Sequence, residues 1–355
     1  MKFREHHLSI LLEKMKKEQT PLDVLLRHYF RQNKALGSKD RAWIGETIYH
    51  YVRHQNLYDE LQLSPMATLP DTSHMPLHLR LGAPQKLVDH LIQAYGDAKT
   101  MEICEINQTR APVTIRTNTL KISRDDLLKK LSSQFEVSPT QESPIGIQFR
   151  AKVNFAALTE FNEGLFEVQD EASQIAALMV TPSPKDQILD FCAGAGGKSL
   201  AIAPQMQNSG QLYLHDIRPS ALIEAKRRCK RAGIQNVQFN LPQKRHSMDI
   251  VIVDSPCSGT GTYRRNPDLK WKFDQIDLSA FIEEQRKIVD EAMTHLKPGG
   301  TLVYMTCSIL PCENEEQATY FQKKYNFTIS KQFQTLPISG GMDGFYAVSV
   351  KESIC

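Results

Sequence analysis

The chain has no Cys-x-x-Cys pair, no internal repeat, no low-complexity tract and almost no net charge. Its seven cysteines (Cys104, Cys192, Cys229, Cys257, Cys307, Cys312 and Cys355) are odd in number and scattered. That excludes a disulfide framework and zinc-ligand spacing, so no metal is expected and a reducing cytoplasm is the expected setting. No apolar stretch approaches the ~20 residues of a membrane span. The leading MKFREHHLSILLEKMKKEQ carries charges on both sides of a short apolar run, so no signal peptide is expected. A net charge of +3 permits a nucleic-acid partner without arguing for one, because Lys and Arg can cluster locally. What remains is a globular composition. With 355 residues, 41% hydrophobic and 23% charged, the chain can bury two or three cores.

Residues 1 to about 62 read as helices. Leu22, Leu25, Leu26, Tyr29 and Phe30 recur at helical spacing, as do Trp43, Ile44, Thr47, Ile48 and Tyr51. Ser38 and Asp40 stand where a cap for the second run would sit. After a Pro-containing interruption at 63–76, two more helical patterns run to about Asn107. The expected division is a helical domain over 1–107, a small α+β segment over 108–160 and an α/β domain over 161–355. In the middle segment VTIRTNTLK reads as a strand decorated by Arg116, Asn118 and Lys121, and a helix capped by Ser123 follows. From Phe166 onward, strand, loop and helix alternate. That pattern predicts a parallel, doubly wound sheet that binds ligands beyond the C-terminal ends of its strands.

Two strands end in chemistry. IVIVDSPCSGTGTY (250–263) delivers Asp254 and Cys257, and LVYMTCS (302–308) delivers Cys307. A lone cysteine at a strand end is more often packing than chemistry, and Cys104, Cys229, Cys312 and Cys355 keep that reading. Upstream, DQILDF leads into Cys192, Ala193, Gly194, Ala195, Gly196, Gly197 and Lys198, which open a helix. Small residues let backbone N–H groups approach a ligand closely. Asp216, at the end of the next strand about 20 residues on, is placed to accept ribose hydroxyls. Together these point to an adenosine-containing cofactor. GAGGKS resembles a P-loop, but the required glycine is Cys192, and a dinucleotide fingerprint would need glycine where Ser199 stands. S-adenosylmethionine, which has no phosphate, carries no such requirement.

The ordered set FEVQDEASQ, LDFCAGAGGKS, VDSPCSGTGTYRRNPDLKW, LKPGG, TCSILPCENE and GGMDGFY resembles the Sun/RsmB family of RNA (cytosine-5) methyltransferases. IRTNTLK resembles the segment preceding their catalytic domain, and the N-terminal helices are similar to a NusB-like RNA-binding domain. The resemblance implies a Rossmann-like class I S-adenosylmethionine-dependent methyltransferase sheet and action on RNA, ribosomal rather than transfer. It implies Cys307 as nucleophile at carbon 6 of cytosine, Cys257 as the group that helps break the adduct, and Asp254 on ring N3. It further implies Lys198 as a positive charge favouring thiolate. Cys192 to Lys198, Asp216, Asn240 and Asp254 would line the donor site. Arg116, Asn118, Lys121, Arg264 and Arg265 would meet RNA, with Lys270 and Trp271 nearby. The basic run KRRCKR (226–231) reads as a solvated helix face.

The chain departs from the family pattern at Gly194, Ala195, Ser199 and Ser255. It also departs at Asn240, where the family has an acid that contacts the adenine amino group. The competing reading that Asn240 motivates is a non-catalytic RNA-binding or ribosome-assembly factor; a P-loop ATPase is a second rival.

Overall fold

The computed structural model describes residues 3–18 and 20–352; Cys355 lies outside them. The chain forms two compact units. One takes the residues up to Arg110 together with Thr262–Ile276, and the other takes Ala111–Gly261 with the residues from Asp277 on.

The first unit is helical: Phe3–Lys17, Leu22–Gln32, Ser38–Arg53, Gln55–Glu60, Leu77–Arg80 and Gln85–Gln108. Leu22, Leu25, Leu26 and Tyr29 all lie on the buried face of the second helix. They meet Ile44, Ile48 and Tyr51 of the third in one core. The cap of that third helix is not Ser38 or Asp40. Gly37 takes the N-cap position with extended backbone and no side-chain cap bond, and Ser38 is already helical. The longest helix breaks at Gly96, whose φ of 75° is a left-handed conformation that L side chains rarely adopt.

The second unit holds two sheets. The smaller is antiparallel, built from β1 (Val113–Thr117), β2 (Val137–Pro139), β3 (Gly146–Phe149) and β4 (Phe166–Val168) in the order β2-β3-β1-β4. The Ser123 hydroxyl accepts the Asp126 N–H at 3.1 Å and caps the helix Arg124–Ser132. That helix lays Leu127 and Leu131 against Ile115, Ile147 and Phe149.

The larger sheet comprises β5 (Gln187–Asp190), β6 (Gln211–Leu214), β7 (Val237–Gln238), β8 (Met248–Asp254), β9 (Leu296–Thr306), β10 (Phe327–Thr335) and β11 (Phe345–Glu352). Its order is β10-β11-β9-β8-β5-β6-β7. The five strands from β9 to β7 are parallel. These five make the parallel, doubly wound sheet that the alternation of strands and helices predicts, and an antiparallel hairpin extends it. β11 runs antiparallel to both β9 and β10: the connection 336–344 returns the chain alongside β10, and β11 inserts between β10 and β9. The near-continuous apolar runs arise because both faces are covered. In β8, Ile250 and Ile252 enter one core while Val251 and Val253 enter the other. The order of strand addition reverses at β5, with β6 and β7 on one side of it and β8 and β9 on the other, so the crevice beyond the C-terminal ends of β5 and β8 is the natural ligand site.

Candidate active site

The loop after β5 is shaped by its glycines. Gly194 and Gly196 have φ of 53° and 79°, and a Cβ on Gly196 would come within 3.3 Å of Ala225 on the helix Pro219–Ala232. The Gly194 N–H donates to Asp216 Oδ2 at 2.8 Å, so the loop and the end of β6 are fixed together. Burial works against the charge of Asp216. Hydrogen bonds from Arg218 and from the Gly194 N–H outweigh it and hold the carboxyl below its usual range. An ionised carboxylate at this strand end fits two ribose hydroxyls, and the glycine cradle leaves room beside it. Asn240, just past β7, is exposed. Its amide N–H donates to Leu241 O at 2.8 Å, which leaves the amide oxygen as acceptor for an incoming amino group. Cys192 is a poor thiolate, since burial pushes its thiol up. It packs beside the apolar face of the sheet.

Three residues expected to meet RNA make hydrogen bonds within the unit; Arg116 and Asn118 are buried, while Lys121 is exposed. Arg116 is buried, and its Nη1 donates to Gly197 O at 2.9 Å and to Gln169 Oε1. Asn118, also buried, donates to Gly164 O and Ala232 O, both at 2.8 Å. Lys121 Nζ donates to Glu163 O and Arg231 O at 2.6 and 2.7 Å. The physical reason is common to all three. Carbonyls at loop and helix ends lack intrahelical donors, and these side chains satisfy them. The KRRCKR run needs a similar correction. Lys226, Arg227 and Lys230 are exposed, but Arg228 and Arg231 clasp the buried carboxylate of Glu167. Arg228 Nη1 also donates to Ala195 O at 2.8 Å. Two guanidiniums therefore hold the cofactor loop by its carbonyls.

In the helical unit Arg264 is buried and Arg265 half-buried. The Arg264 carbonyl accepts from Arg53 at 3.3 Å. Lys270 is buried too, with Nζ on Arg53 O at 2.6 Å, and Trp271 donates its indole N–H to Val52 O at 2.6 Å. Burial lowers Lys270 to about 7. These bonds tie the RRNPDLKW segment to the helix Ser38–Arg53. Of the residues expected at RNA in this segment, Arg264 and Lys270 are buried, and Arg265 and Trp271 are half-buried.

The structure brings the chemistry-bearing residues of the strand ends together. Cys257 and Cys307 lie with their Sγ atoms 3.4 Å apart, both half-buried. Lys198 Nζ reaches Asp254 Oδ2 at 2.9 Å and sits 4.8 Å from the centroid of the Phe345 ring. Its charge is directed at Asp254, so the expectation that it serves the thiolate gives way to one of orienting that carboxylate. The Cys257 thiol is pushed up, first by its hydrogen bond to Cys307, then by burial and by the charges of Cys307 and Glu313.

Two residues without an assigned role complete the site. Asp190, at the end of β5, is fully buried and accepts Ser199 Oγ–H at 2.6 Å. Burial pushes it up to about 7. The folded chain therefore binds this proton more tightly than the unfolded chain, so the cost grows as pH rises from the ordinary carboxylate range and is complete above about 7. Asp190→Asn removes that cost. We expect a gain on the order of 2 kcal/mol at alkaline pH and little gain at acidic pH, read from denaturant midpoints. Equal gains at both would contradict the assignment. The second residue is Glu313, within the quoted TCSILPCENE.

The comparisons agree with this geometry. The family described as 16S rRNA methyltransferase RsmB/F matches residues 177–350, and the RsmF/B-like ferredoxin-like domain matches 83–156. The chain is similar to ribosomal RNA small subunit methyltransferase B of Shewanella oneidensis, 33% identical over 303 residues, 80% of this chain and 69% of that one. The protein of the same name from Vibrio vulnificus is 31% identical over 336 residues, 89% and 75% of the two lengths. The crystal structure of a methyltransferase homolog protein from Pyrococcus horikoshii superposes with a TM-score of 0.65 at 25% identity. It covers 78% of this chain and 97% of that one. With such identity over most of both lengths, and two thiols meeting at the ends of β8 and β9, the chain belongs to the RsmB/F family of 16S rRNA methyltransferases.

Proposed function

We propose that this protein methylates carbon 5 of a cytosine in ribosomal RNA, with Cys307 as nucleophile and Cys257 as the group that releases the product. The contact between Cys257 and Cys307 carries this reading. Carbon 5 of cytosine is a weak nucleophile. Addition of the Cys307 thiolate to carbon 6 turns the ring into an enamine that can take a methyl group at carbon 5. S-adenosylmethionine supplies that methyl group as an electrophile when bound. Asp216 would hold its ribose, Asn240 its adenine, and the 192–198 loop its remaining length. Asp254, steadied by Lys198, is suited to hold the proton on ring N3 that addition to carbon 6 requires. Cys257, having given its own proton to solvent, then takes the carbon-5 proton as a thiolate, and the carbon 6–sulfur bond breaks with its electron pair returning to Cys307, which leaves Cys307 as the thiolate that attacked and Cys257 as a thiol. The cytosine has to be unpaired or turned out of its stack, because carbon 6 is out of reach of a thiolate inside a helix.

The same proposal gives the helical unit, with its exposed Arg27, Arg31, Lys34 and Lys39, the work of holding RNA phosphates. No helix among the described residues is long and apolar enough to cross a membrane. Free thiols at the site suit a cytoplasmic setting.

The test uses labelled donor with separate pools of unmodified small-subunit ribosomal RNA and transfer RNA, digested to nucleosides. Label in 5-methylcytidine from the ribosomal pool is the expected result. Label from the transfer pool alone would overturn the substrate. No label from either, with cysteines reduced and no calorimetric heat with the donor, would favour the non-catalytic RNA-binding factor that Asn240 motivates.

A further inference from the structure

Both cysteines are followed by serine, and the two serines converge on one buried carboxylate. Glu313 has no exposed surface. It accepts the Ser258 N–H at 2.9 Å, the Ser258 hydroxyl at 2.5 Å, the Ser308 hydroxyl at 2.6 Å and the Gln285 amide at 3.0 Å. Ser258 belongs to the loop after β8 that bears Cys257, and Ser308 to the loop after β9 that bears Cys307. Gln285 comes from the helix Leu278–Met293. Four donors from three elements make a satisfied buried charge, the condition under which such a group fixes geometry rather than destabilising it. Thr260 reinforces the clasp, its hydroxyl 3.1 Å from that of Ser308.

We propose that Glu313 is the positioning residue of the thiol pair, holding the two cysteine-bearing loops in register and directing the nucleophilic charge to Cys307 instead of Cys257. The proposal rests on the reading of Cys307 as nucleophile given above. Its second half follows from the surroundings of Cys257, whose sulfur lies 3.4 Å from that of Cys307 and whose next residue, Ser258, is bound to Glu313 through both its N–H and its hydroxyl. Tyr304 is held neutral by burial, and its hydroxyl donates to the Glu313 carbonyl at 2.8 Å. The Glu313 carboxylate is then the fixed anion that opposes ionisation of Cys257, adding to the effects of Cys307 and burial. The four bonds of its carboxylate go to Ser258, Ser308 and Gln285, none of them in the 192–198 loop, so donor binding is expected to be independent of it.

Glu313→Gln keeps the shape and removes the charge. The reduced full-length protein, without RNA, is pulsed with iodoacetamide over a pH series, and each cysteine is scored by mass spectrometry. The unaltered protein is expected to label at Cys307 first. In Glu313→Gln, Cys257 should label at lower pH and the preference for Cys307 should narrow. In the same variant kcat should fall on the order of 10²-fold as the thiols lose register, with calorimetric donor affinity unchanged. Glu313→Asp, which keeps the charge, should restore the labelling preference. A merely structural role would expose both thiols equally and leave the preference as it was.

Unchanged preference with unchanged kcat in Glu313→Gln would overturn the proposal. Should that variant fail to fold, Ser308→Ala removes one strap and keeps the charge. It should lower kcat while Cys257 stays protected, and unchanged kcat there would overturn the positioning role. A shift in labelling preference, with no methyl transfer by the unaltered protein to any RNA, would sink the proposed function and leave only the control of Cys257 by Glu313, so the two failures are distinguishable.

Discussion

Cys307→Ala should lose methyl transfer to ribosomal RNA by on the order of 10⁴-fold or more, the scale seen when a covalent nucleophile is removed. The side chain sits at the end of β9 with its sulfur against Cys257 and makes no hydrogen bond to the glycine loop. Calorimetric affinity for S-adenosylmethionine should therefore be unchanged. The separation of the two effects matters more than either. A fall in turnover accompanied by an equal fall in donor affinity would mean that the substitution disturbed the pocket, and the covalent role would lose its support.

Cys257→Ala should do something different in kind: it should accumulate a covalent complex of protein and RNA. The complex would run slowly on a denaturing gel and would be absent from Cys307→Ala. The electrostatics supply the order of events. In the resting site the first cause that keeps Cys257 protonated is its hydrogen bond to Cys307. Once Cys307 Sγ is bonded to carbon 6 it carries no negative charge and accepts weakly, so that restraint is gone. Cys257 then ionises more readily, at the stage when a base is needed for the carbon-5 proton. Without Cys257 the adduct persists. A Cys257→Ala protein that turns over normally and shows no slow band would contradict the division of labour between the two thiols.

Much of the fold can be read along the chain because its signals are periodic. The apolar runs of β8 and β9 alternate between two cores, and such runs look the same whichever face a residue takes. Ser123 could be placed as a cap since its position relative to the helix fixes its bond. Ser38 misleads for the opposite reason: Gly37 adopts the cap geometry one residue earlier, and a glycine at that position leaves little trace. The antiparallel hairpin of β10 and β11 carries no mark in the strand composition, because pairing direction depends on the turn between them.

The strand-end chemistry was legible because Cys257, Cys307 and Asp254 are conspicuous beside apolar strands. The supporting network was not. Arg116 and Arg228 look like exposed basic residues in a string of letters, yet each donates to a loop carbonyl far away in sequence. Glu313 is one acid among several in CENEE. Its importance comes from Ser258, 55 positions away, and Gln285, 28 positions away, meeting on it. A signal was present: serine follows each cysteine, and paired hydroxyls at paired strand ends invite a shared acceptor.

The measurement that tests the account most directly is the trapping of the unaltered protein on small-subunit ribosomal RNA made with 5-fluorocytidine. Fluorine at carbon 5 cannot leave as a proton does, so addition and methylation proceed while release is blocked. The account predicts a stable complex that forms only with S-adenosylmethionine present. Its digested peptide should carry one methylated fluorocytidine on Cys307. Attachment through Cys257, or no complex while ordinary RNA is methylated, would contradict the central claim that Cys307 attacks and Cys257 releases.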